Sequence, residues 1–174
     1  MRQFRIGLTT ALAVYAIAML ASPDAAVVID LFNVPVHEAG HLMFAPLGAI
    51  PQLLGGTVLQ VLLPLLFGAW CTVHRDEHAA SVAAWWVGQN FAAIGLAMAN
   101  ASSTLLPRPG IDRDWSLLFS EWGVAGQALQ FGQLAHGFGF LIMLVATFWG
   151  VAEALSAPSR RPAVAPRYRS MARR

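Results

Sequence analysis

Charge and cysteine are what this sequence has little of. Charged residues make up 11% of its 174 positions, against 57% hydrophobic. A soluble domain carries roughly a quarter charged residues. Too few polar side chains remain to cover a water-soluble globule, so a bilayer is the natural solvent. Lysine is absent, and all eleven basic residues are arginine. Cys71 is the single cysteine, which excludes an intrachain disulfide and a thiolate metal cluster. Any metal site must use His, Asp and Glu. Cys71 itself lies in an apolar run and is expected to pack as a small hydrophobe.

The arginines are unevenly placed. Six of them (Arg160, Arg161, Arg167, Arg169, Arg173, Arg174) fall in the last fifteen residues with no acid among them. Because this tail directly follows an apolar segment, it reads as an anchor to anionic lipid rather than as a nucleic-acid arm. With its prolines, the stretch 157–174 is expected to be a disordered basic tail behind a membrane domain of residues 1–156.

Four long apolar runs stand out, at 6–21, 53–73, 79–99 and 134–155. Each approaches the length needed for roughly 30 Å of hydrocarbon. The first, behind Arg2 and Arg5, has the marks of a signal peptide but is taken as an uncleaved span, since a bundle needs it. Trp85 and Trp86 near one end of the third run suit a lipid–water boundary. Residues 112–130 read as a short amphipathic interfacial helix with Trp115, Leu118 and Trp122 on one face. The fold expected is thus an all-α, polytopic transmembrane bundle of four to five apolar segments. Oligomeric state is left open.

The segment 25–48 is apolar overall yet holds Asp30, His37, Glu38 and His41, between Pro35 and Pro46. It is either a full span or a re-entrant piece. Arginines near both ends favour both ends inside, which requires an even number of crossings. Four spans plus a partly inserted motif segment satisfy that.

Ionisable groups in an apolar segment are costly unless they pair or bind something. In His37-Glu38-Ala39-Gly40-His41, histidines four apart share one helical face. Both imidazoles can aim at one ion about 2 Å away. Glu38 points round the helix from the pair, placed to take a proton from water without ligating the metal. The bland alternative is a His–Glu hydrogen-bond cluster that only joins helices. A hydrolytic site needs a third ligand, and the candidates are Asp114, Asp112, His136, Glu121 and Asp30. Asp114 is the choice, although Asp112 or Asp114 could equally cap the following helix. His136 reads as a packing residue at the start of the last span, and Asp30 as a supporting acceptor for a ligand histidine.

A second pattern, His74-Arg75-Asp76-Glu77-His78, fits the inverted zinc motif. It sits in a short polar link and reads as a solvated turn. Gly55 and Gly56 read as close-packing positions, and Gln60, Gln89 and Asn90 as interhelical hydrogen-bonding residues. Gln89 or Asn90 touching a substrate carbonyl is the alternative.

On His37-Glu38-Ala39-Gly40-His41 within an apolar segment, and a later aspartate on another element, the chain resembles the intramembrane zinc metallopeptidases of the site-2 protease kind. It is similar also to small bacterial membrane proteins sharing an HEAGH segment, a Gly-Gly…Gln…Pro span and an Asp-Trp loop, over residues 25–135. The family's later aspartate–glycine pair is replaced here by Asp114-Trp115. The resemblance implies zinc held by His37, His41 and Asp114, and water activated by Glu38. It implies hydrolysis of a membrane protein or peptide in or near the bilayer, by a multi-pass protein of a bacterial inner (plasma) membrane. The other expectation to be weighed is a non-catalytic membrane protein whose histidines hold a structural metal or handle an ion.

Overall fold

The computed structural model describes residues 2–22, 27–101 and 111–156, with backbone alone at 27, 28, 30, 111 and 112. Among these the chain forms six α-helices and no strand: α1 (Arg2–Ala21), α2 (Val27–Phe44), α3 (Ala49–Val73), α4 (Glu77–Asn100), α5 (Ile111–Glu121) and α6 (Ala128–Ser156). Helices α1, α3, α4 and the run Ala125–Ser156 that contains α6 are long and apolar enough to cross a membrane. Helix α2, diluted by its polar residues, is not among them. Leu31, Leu42, Val73 and Phe148 are more than two-thirds exposed, an outward apolar surface that suits lipid.

Local sequence explains the joints. Asp76 caps α4, its carboxylate accepting from the Ala79 N–H, and Arg75 turns the chain with φ of 59°. The α2–α3 hairpin is closed by a 3-10 turn, Ala45–Leu47, and by Gly48 at φ 109°, a backbone region that suits glycine. Helix α2 runs unbroken through Pro35, whose ring costs one backbone hydrogen bond.

Interhelical contacts fix the directions. Arg5 pairs with Asp76 and Thr9 with His78, so α1 and α4 start at the same end. The end of α6 lies there too, because a Cβ at Gly150 would touch Ser81 and Thr9. Helices α3 and α6 therefore run against α1 and α4. Helix α2 joins the bundle beside the middle of α4, where Asn33 bonds Gln89 and Trp86. It continues to the first turns of α3, where His41 meets Gln52.

The core is built around α4. Trp85, Ala92, Met143, Ala146 and Met19 join α4 to α6 and α1, while Ile94, Trp115, Leu118, Phe119 and Ala128 seat α5 under the end of α4. In lipid, helices associate by close packing rather than hydrophobic drive. A Cβ at Gly95 would lie 2.3 Å from the His136 backbone nitrogen, so α4 and α6 touch backbone to backbone.

Three expectations need correction. Trp85 is buried in the bundle against Tyr15 and Trp86 donates to Asn33; neither marks a lipid boundary, because α4 starts two turns earlier. The amphipathic helix ends at Glu121 rather than continuing to 130, because Gly123 takes φ 68°; Trp122 falls beyond it and is exposed. The last span begins at Ala128, so His136 sits two turns inside it. The loop at 106–110 and the tail at 157–174 lie outside the described residues, as do the side chains of Asp30 and Asp112.

Candidate metal centre

Two histidines one turn apart on α2 and an aspartate in the first turn of α5 converge where α2, α3 and α5 meet. His37 Nε2 lies 3.0 Å from Asp114 Oδ2, His41 Nε2 lies 3.0 Å from the same oxygen, and the two nitrogens are 3.0 Å apart. The three donor atoms form an equilateral triangle. His37 is buried, and His41 and Asp114 are mostly so.

The far side of each ring decides what the near side offers. Asn90 Nδ2 donates to the Gln60 backbone carbonyl at 3.0 Å, which fixes the orientation of the Asn90 amide. Asn90 Oδ1 must then accept, and it does so from Gln60 Nε2 at 2.8 Å. That turns Gln60 Oε1 toward His37 Nδ1, 3.2 Å away. A carbonyl oxygen only accepts, so His37 carries a proton on Nδ1, and in the neutral ring Nε2 is the nitrogen left to bind a metal. His41 Nδ1 lies 2.7 Å from the Gln52 carbonyl, and the same reasoning gives the neutral His41 ring an Nε2 left to bind a metal. With both rings neutral, two nitrogen lone pairs and a carboxylate oxygen face one another across 3.0 Å. Such a cluster is repulsive without a cation or proton between its members. A point about 2 Å from all three, the zinc–nitrogen distance, lies just off the triangle's plane. These residues can hold a metal ion.

Glycines make the approach possible. A Cβ at Gly56 would lie 2.5 Å from the His37 ring, and one at Gly40 would lie 2.2 Å from the Gly55 carbonyl oxygen. Any side chain there would push α2 and α3 apart. The sequence marked Gly55 and Gly56, though not Gly40, as close-packing positions, and Gln60 and Asn90 as bridging amides. It did not mark Gln60 as the partner that sets a ligand's tautomer. The available signal was a glutamine one helical turn after Gly56 on the same α3 face.

The remaining candidates lie elsewhere. Glu38 is exposed on α2, about 100° round the helix from His37, and is not a member of the donor triangle. Asp114 is inside the first turn of α5, past the cap position, with its carboxylate on the histidines. His136 Nδ1 donates to the Ala92 carbonyl at 2.8 Å, a packing contact between α6 and α4. Glu121 is exposed at the end of α5. Gln89 accepts from Asn33. The inverted motif is split: His74 is exposed and donates to the Trp70 carbonyl, whereas His78 is buried against Thr9 and the Arg5 carbonyl.

An apolar groove of about 410 Å³ runs beside the site, lined in part by Thr57, Val61, Phe91, Met98 and Trp115. Thr57 and Trp115 are the chain neighbours of Gly56 and Asp114. No family model, curated protein or solved structure matches the chain.

Proposed function

We propose that the chain is a membrane-embedded zinc metallopeptidase that hydrolyses peptide bonds in or near the bilayer. The convergence of His37 Nε2, His41 Nε2 and Asp114 Oδ2, with both Nδ1 atoms already engaged, is the observation that carries this reading. Two neutral imidazoles and one carboxylate suit zinc, and three protein ligands are the number that hydrolytic rather than structural sites use. When bound, zinc supplies Lewis acidity, lowering the pKa of water and polarising a carbonyl.

The chain's own residues supply the rest. Gln60 and the Gln52 carbonyl hold the two rings in the required tautomer and orientation, as outer partners of metal-ligating histidines do. Glu38, next in sequence to His37 and open to its surroundings, takes a proton from water and returns it to the departing amine. The groove flanked by Thr57 and Trp115 offers an apolar bed for a hydrophobic segment. A helical substrate must unwind to reach the site, since its own hydrogen bonds cover its carbonyls.

Purified protein given one equivalent of zinc and a hydrophobic peptide in proteoliposomes tests the reading. Glu38→Gln should retain zinc and lose about 10²-fold or more in cleavage rate. Stoichiometric zinc with no cleavage by the unaltered chain would leave a non-catalytic metal site, structural or ion-handling, as the surviving account.

A further inference from the structure

We infer that the metal centre opens on the non-cytoplasmic side of the membrane, and that its metal and its peptide substrates reach it from there. The inference rests on the membrane-spanning reading of the four long helices and on the metal-site reading of the donor triangle.

The helices sort the arginines by end. Arg2 and Arg5 begin α1, Arg75 links α3 to α4, and the pairing of Arg5 with Asp76 holds these at one end of the bundle. The last residues of α6 reach that same end, and six arginines follow α6 in the sequence. Three arginines therefore stand at one end, and the sequence that leaves that end after α6 carries six more. The metal centre is at the other. His41 bonds the first-turn carbonyl of Gln52, and Asp114 stands on α5, just after α4 has reached its far end. Among the described arginines only Arg113 stands on this side, and the sequence between α4 and α5 adds Arg108.

Arginine and lysine in short flanking segments are retained on the cytoplasmic face, while acids count little. Asp76 beside Arg5 thus does not offset the bias. The even number of crossings by α1, α3, α4 and α6 agrees with both arginine-bearing segments on one side. A site at the opposite end meets the outer aqueous phase, so its substrates are exported peptides or the outer ends of membrane spans.

Single cysteines test this in a Cys71→Ala background, where the one natural thiol, itself buried, is removed. Glu121→Cys marks the metal-centre end and His74→Cys the arginine end; both positions are exposed. A membrane-impermeant maleimide is applied to sealed vesicles of known sidedness, and detergent-solubilised samples establish that each thiol reacts. Glu121→Cys should label in right-side-out vesicles and lose labelling in inverted ones; His74→Cys should do the reverse. Any other pattern overturns the inference. Thr72→Cys and Gln127→Cys form a second exposed pair should either first substitution impair folding. The readout involves neither metal nor hydrolysis, so a wrong orientation leaves the metallopeptidase reading standing, and a failure to bind zinc leaves the labelling pattern unchanged.

Discussion

Two stretches of this chain place histidines four residues apart with a glutamate between them, and they come to opposite ends. His37 and His41 lie on one continuous helix, so their rings stay together and are met by Asp114 from α5. His74 and His78 straddle the break between α3 and α4, because Arg75 takes φ 59° and Asp76 caps the new helix. One ring goes to solvent and the other into the bundle. Identical spacing is thus not a site. It becomes a candidate site when a single helix carries both residues, the outer ring nitrogens are engaged, and a third donor arrives from elsewhere.

That contrast can be broken in graded steps. Removing a corner of the triangle should have the largest effect. His37→Ala or Asp114→Ala should lower zinc affinity by more than the 10–100-fold typical of losing a supporting partner, as read by a competitive chelator titration. The same substitution at His74 should leave affinity unchanged. Gln60→Leu comes next. It deprives His37 of the acceptor that fixes its tautomer and should weaken zinc binding about 10–100-fold while all three ligands remain. Gly56→Ala inserts a methyl 2.5 Å from the His37 ring. Overpacking of this kind costs about 1–3 kcal/mol, seen as a lower unfolding midpoint together with weaker zinc binding. The smallest effect belongs to the second stretch. His78→Ala removes a buried bond to Thr9 and should cost about 1 kcal/mol of stability with zinc affinity intact. A loss of zinc there would abolish the contrast.

Much of the fold was legible because its signals are local. Long apolar runs mark spans whatever surrounds them, and the four expected at 6–21, 53–73, 79–99 and 134–155 each lie within one of the four long helices. What failed depended on partners. Trp85 and Trp86 look like boundary residues until α1 and α2 are seen to cover them. The break after Glu121 turns on the backbone of Gly123, one glycine among fifteen. For the candidate centre, the two histidines were legible because helix periodicity joins them. Asp114 lies 73 residues beyond His41, and only its position beside an apolar element suggested it. Gln60 was read as a bridge between helices, and it is one. Its hold on His37 follows from the orientation of the Asn90 amide, set in turn by a backbone carbonyl on a different helix. No spacing rule within one segment encodes that.

The central claim is that two imidazole Nε2 atoms and one carboxylate oxygen share a cation. X-ray absorption of the protein loaded with one equivalent of zinc tests it most directly. The account predicts two imidazoles and light oxygen donors at about 2.0–2.2 Å, with the spectrum altered in Asp114→Asn. A chain that retains no stoichiometric zinc, or a spectrum identical in Asp114→Asn, would contradict it.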